Sequence, residues 1–159
     1  FKMVSKPYPK NGLPSITYND TMSIYFNDEK IDVVHYSYGH TDGDSVIFFK
    51  NSNVIHMGDL YFAKMFPFVD VQNEGDVLQM AKNIKMILNK IDDSTKVVPG
   101  HGKLSNKKEL KEFYLMLVGT YNEINHMVSN GDNLDKIKKN GTFEKILLEY
   151  ENNYASSCY

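Results

Sequence analysis

At 159 residues with 42% apolar content and a net charge of −2, the chain has the size of one domain and one core. It lacks the compositional marks of disorder and the basic excess of a nucleic-acid binder. The eighteen basic residues are all Lys, which leaves no Arg for planar bidentate clamps on phosphate or carboxylate. The single Cys158 rules out an internal disulfide and a Cys-rich metal site. No apolar run is long enough to cross a membrane. The chain begins at Phe1 in polar, Pro-rich sequence, and reads as a fragment or processed piece.

Residues 1–15 carry Pro7, Pro9, Pro14 and Gly12 and predict an extended lead-in. Strand-like runs follow: SITY, MSIYF, a turn at NDEK, then IDVVHYS. SVIFF and NVIHM, separated by KNSN, predict a hairpin. The segment from Leu60 to Gly75 is aromatic and without period. From Asp76, the spacing of Val77, Leu78, Ala81, Ile84, Ile87, Leu88 and Ile91 predicts an amphipathic helix started by Asp76 or Gly75. TKVVPGHG predicts a short strand broken at Pro99. Ser105 is the expected cap of a second helix whose apolar face is Leu110, Phe113, Tyr114, Leu117, Tyr121 and Ile124. Gly131, Gly141 and Thr142 punctuate two shorter helices, the second running through TFEKILLEYENNY. With strands bunched at the front and helices behind, the expectation is a layered α/β domain with a mixed or antiparallel sheet. Residues 16–104 would hold the sheet, one helix and the ligand loops, and residues 105–159 the C-terminal helices.

Three residues share one local setting. His40 in GHTDGD, Asp59 in MGDL and His101 in PGHG each stand where a strand gives way to a Gly-containing turn. Strand-end loops can present ligands convergently from a rigid sheet. Imidazole nitrogen with carboxylate oxygen suits zinc or a similar borderline metal. Each residue alone has a plainer reading, as a turn-stabilising His or an Asp bonding its own backbone. His35 and His56 lie inside strands and read as structural or as supports behind a ligand. His126, near a helix end, reads as solvated.

In order and separation, GHTDGDSVIFF, VIHMGDL and KVVPGHG resemble the C-terminal half of the metallo-β-lactamase fold superfamily. The aromatic YFAKMFPFVD segment and the helix after the last His resemble a broad bacterial group of those metallo-hydrolases. The resemblance implies half of a four-layer αββα sandwich with a metal site at one edge. It further implies two zinc ions, or other divalent metals, in a complete site. His40 would serve the first metal, His101 the second, and Asp59 would bridge them as the catalytic carboxylate. The family's H-x-H-x-D-H motif is not found in residues 1–39, where His35 is the only His. The implied partners are therefore an N-terminal half of the domain and a small-molecule substrate, with no nucleic acid and no membrane. The implied activity is attack of metal-activated hydroxide on an ester, thioester, lactone or lactam. Thr41 and Asp44 are expected to orient His40, and Tyr61, Phe62 and Phe66 to wall the substrate groove. The alternative is a non-catalytic remnant or interaction module that keeps the half-fold.

Overall fold

The computed structural model describes residues 8–141 together with Lys145 and Leu148. Six strands form one sheet in chain order: β1 (Thr21–Phe26), β2 (Glu29–His35), β3 (Ser45–Phe49), β4 (Val54–His56), β5 (Lys96–Val98) and β6 (Ser105–Asn106). Every neighbouring pair is antiparallel except β4 with β5. Helix α1 (Val77–Leu88) makes the crossover that the parallel pair requires. Helices α2 (Lys107–Ser129) and α3 (Leu134–Lys139) follow the last strand. The first helix, the mixed sheet and the sequence of strands, helix, strand and helices match the expectation from sequence. SITY, by contrast, is not a strand, and its Tyr18 hydroxyl instead bonds Ser45 Oγ at 2.5 Å. The helix expected over TFEKILLEYENNY lies outside the described residues, save Lys145 and Leu148. No described helix is long and apolar enough to cross a membrane.

Local chemistry explains the joints. The β1–β2 turn is Asn27-Asp28, both at positive φ (47° and 58°). That pair of left-handed residues makes the tight two-residue turn that matches strand twist, and Asn and Asp tolerate it best. Asp76 caps α1 by accepting from Gln79 N at 2.6 Å. The cap of α2 is Asn106, accepting from Glu109 N at 3.0 Å, rather than Ser105. Ser105 sits one residue earlier on β6, where its hydroxyl joins Tyr61 OH at 2.7 Å and donates to Glu109 at 2.5 Å. A tertiary partner for the hydroxyl thus overrode the local capping signal.

Sheet register sorts the strand residues onto two faces. Val46, Phe48, Ile55 and Val97 lie on one face and are buried against Met80, Ala81, Ile84 and Ile87 of α1 and Leu110, Phe113 and Leu117 of α2. The other face carries Met22, Ile24, Ile31, Val33, Ile47, Phe49, Val54 and Val98, paired in register across five strands. None of these eight is buried. Among the described residues, one helical layer covers one face of the sheet, and the opposite face is apolar and open.

Burial asymmetry gives the first test. Phe48→Ala, on the covered face, should cost about 3–5 kcal/mol in urea unfolding, and Phe49→Ala next to it about 1 kcal/mol or less. A hydrophobic dye should bind the wild-type chain and bind Phe49→Ser and Ile47→Ser less. A second test concerns the turn before β5. Asp92 accepts from Ser94 N and Oγ (2.8 and 2.7 Å) and from Asn53 Nδ2 (3.1 Å). The Ser94 hydroxyl foremost, with Asn53, lowers its pKa to about 2. A depressed carboxylate pKa stabilises the fold above the unfolded value and loses that contribution as pH falls through the folded one. The stability difference between wild type and Asp92→Asn should therefore hold above about pH 4 and vanish towards about pH 2, followed by unfolding midpoints across that range.

Candidate metal centre

Asp59 closes a short 3-10 turn (Gly58–Leu60) directly after β4, and His101 follows β5. Because β4 and β5 run parallel, both residues leave the same end of the sheet. The pairing continues past the strands: Met57 N donates to Val98 O, Gly100 N to Gly58 O (both 2.8 Å), and Phe62 bridges His101. Gly100 is required by this closeness. A Cβ there would stand 2.2 Å from Asp59 Oδ1 and 2.6 Å from the Gly58 carbonyl, distances no side chain tolerates.

His40 reaches the same place from the β2–β3 loop and is held on three sides. Its backbone N–H donates to Asp44 Oδ2 at 2.6 Å, and its carbonyl accepts from Asp70 N at 2.9 Å. Its ring Nδ1 lies 2.7 Å from the Phe68 carbonyl. A carbonyl only accepts, so Nδ1 carries a proton and Nε2 is the ring nitrogen turned outward. Gly75 passes so close to this loop that a Cβ there would meet the His40 carbonyl oxygen at 2.3 Å. Deeper down, the buried Asn83 donates to Ser37 O at 2.9 Å and accepts from Gln79 Nε2 at 3.0 Å, tying the loop to α1.

The three expected residues converge. His40 Nε2 lies 3.5 Å from Asp59 Oδ2, and His101 Nε2 lies 3.3 Å from Asp59 Oδ1. One carboxylate thus faces two imidazoles, one on each oxygen. Both separations exceed the usual hydrogen-bond distance of about 2.7–3.2 Å. They match the spacing of about 3.3–3.6 Å between two donors on one tetrahedral zinc. The donor set therefore fits a metal as two His–Asp pairs. Among the described residues, no group of three or more His, Cys, Asp or Glu donors is arranged to hold a metal ion.

The supporting residues depart from expectation in instructive ways. Asp44 and Thr41 do serve His40, but through the backbone. Asp44 takes N–H bonds from residues 40 and 41 and the Thr41 hydroxyl at 3.1 Å. Burial pushes the Asp44 pKa up, against those bonds, which pull it down. Tyr61 is fully buried, its ring edge-on to Phe113 and its hydroxyl on Ser105, so it belongs to the core and not to a groove wall. Phe62 is likewise buried, and its ring stacks on His101 with centroids 4.7 Å apart and 18° between planes. Phe66 packs against the core and lines a separate apolar cleft with Pro67, Leu117 and Tyr121. The exposed aromatic at the centre is Phe68, edge-on to the His40 ring at 5.9 Å. Sequence reasoning missed Phe68 and Asn83. Only Asn83 left a signal there, a polar residue within an apolar helical stripe. Of the two strand histidines, His35 Nε2 lies 2.5 Å from Asp42 O and His56 accepts from Gly58 N, the residue before Asp59, at 3.1 Å.

No family model and no curated protein matches the chain. Solved structures do. A metallo-β-lactamase from Pontibacter korlensis superposes with a TM-score of 0.58 at 18% identity, over 67% of this chain and 49% of its own. The DIM-1 metallo-β-lactamase gives 0.54 at 19%, over 64% and 47%. TMB-1 gives 0.56 at 20%, over 67% and 48%. The chain spans about half the length of the solved structures it matches. Over the matched residues the chain shares the fold of these metallo-β-lactamases.

Gly100→Ala tests the close approach. The added methyl should push the Asp59 carboxylate aside, shift the His40 and His101 ring signals in NMR spectra, and lower stability by about 1–3 kcal/mol. Unmoved histidine signals would show that the carboxylate does not sit between them.

Proposed function

We propose that this chain supplies half of the metal centre of a zinc-dependent hydrolase, with His40, Asp59 and His101 as ligands. The observation that carries the reading is the single carboxylate with one imidazole nitrogen 3.5 and 3.3 Å from its two oxygens. In this reading His40, Asp59 and His101 would hold the metal, with Asp59 placed between the two imidazoles. The remaining ligands come from an H-x-H-x-D-H segment beyond these 159 residues. Bound zinc supplies Lewis-acid polarisation of a substrate oxygen and makes water acidic enough to act as a nucleophile at neutral pH.

The chain's own side chains do the positioning. Asp59, as the catalytic carboxylate, would hold bound metal between the two imidazoles and offset its charge. The Phe68 carbonyl fixes the His40 tautomer so that Nε2 is the ligating atom. Phe62 holds the His101 ring by stacking, while Phe68 offers an exposed apolar surface beside the centre to a substrate. Esters, thioesters, lactones and lactams all fit this chemistry, and nothing in the donor set selects among them. The remnant reading draws on the lack of a three-donor group among the described residues.

Zinc titration by calorimetry separates the two. The 159-residue chain should bind zinc no tighter than micromolar and show no hydrolysis, because a site short of protein ligands forfeits much of the about 10–16 kcal/mol of a complete zinc site. Addition of a polypeptide bearing H-x-H-x-D-H from a metallo-β-lactamase-fold hydrolase should restore tight binding and turnover. Asp59→Ala should then abolish the second equivalent of metal. No tightening on complementation, with Asp59→Ala indistinguishable from wild type, would establish the remnant.

A further inference from the structure

We infer that the free edge of β1 is a docking surface for a second copy of this chain, joined strand to strand about Ser23. The backbone bonds fix which groups are free. His35 N donates to Asp20 O, and the β1–β2 register pairs Thr21 with Val34, so residues 22, 24 and 26 bond inward to β2. The N–H and C=O groups of Thr21, Ser23 and Tyr25 point away from the sheet. Among the described residues no backbone group bonds them.

Sheet edges of monomeric proteins are ordinarily blunted by Lys, Pro, bulges or very short strands. Here the edge is TMSIYF, six residues with no charge, no Pro and no Gly. Tyr25 is 75% exposed and Ile24 42%. A strand is what pairs with such an edge, and the copy's own β1 is self-complementary to it. In antiparallel pairing about a two-fold axis at Ser23, Thr21 meets Tyr25 of the copy, Met22 meets Ile24, and Ser23 meets itself. The three outward residues of each strand then exchange six backbone hydrogen bonds. No like charges are opposed, small residues face large ones, and Met22 and Ile24 extend the open apolar face across the junction. A point-group contact of this kind closes on itself and yields a dimer, not a filament.

Ser23→Pro is the direct test, because the N–H it removes points outward and the intramolecular ladder keeps every bond. Sedimentation equilibrium on the 159-residue chain should show a reversible dimer. Ser23→Pro should raise its dissociation constant roughly tenfold to a hundredfold by removing the two central bonds. Ser23→Lys, which sets two Lys ammonium groups opposite each other, should do the same, and Ser23→Ala should change it by less than about threefold. In a Cys158→Ser background, Ser23→Cys should oxidise to a covalent dimer, since directly opposed Cα atoms about 5.5 Å apart lie within disulfide reach. Far-UV circular dichroism reports folding, and if Ser23→Pro unfolds, the Lys and Cys variants decide. A chain monomeric at every concentration overturns the inference. So does association untouched by Ser23→Lys and giving no disulfide at position 23, which would place the contact on the open sheet face instead.

Discussion

The parallel pairing of β4 with β5 is the constraint on which the site depends. Each strand contributes only three residues, yet pairing in the same direction makes both chains leave the sheet at one end. Asp59 and His101 are then neighbours although a whole helix separates them in sequence. The bonds from Gly100 to Gly58 and Tyr61 extend the pairing into the turns, and they bring the backbones closer than a Cβ would permit. Gly100 is thus a condition of the geometry, and the helix that makes the crossover also packs into the core beneath it.

His40 arrives from a different loop and needs separate restraint. The Asp44 carboxylate and the Asp70 amide hold its backbone, the Phe68 carbonyl holds its ring, and Asn83 anchors the preceding residues to α1. With Nδ1 engaged by the Phe68 carbonyl, Nε2 is the ring atom left to face the Asp59 carboxylate. Convergence of three loops, each with its own support, is what a functional site costs in folding terms and what a random surface trio of His, Asp and His would lack.

The sheet is as asymmetric as the site. One face is sealed by α1 and α2, and the other presents a band of Val, Ile, Phe and Met across five strands without burying any of them. That asymmetry accords with the span of the matched metallo-β-lactamase structures, of which this chain covers about half. An open apolar face lies beside an uncharged edge strand in the described part of the chain.

The alternation in SVIFF and the three- and four-residue spacing from Val77 determined a strand and the first helix by themselves, and the Gly-flanked His40, Asp59 and His101 offered the ligand candidates. Period and turn chemistry are local properties, readable without coordinates. Which aromatic faces the site was not readable. Tyr61, Phe62, Phe66 and Phe68 stand in one aperiodic segment, and only packing sent Tyr61 to Ser105, Phe62 beneath His101 and Phe68 to the surface. The cap of α2 moved from Ser105 to Asn106 for the same reason, since a buried partner competed for the hydroxyl. Hydrogen bonds made by main-chain carbonyls, such as the one from His40 to Phe68, leave no trace in residue identity. Tertiary structure decides them because every residue carries the same carbonyl, and only the path of the chain selects the one that meets the ring.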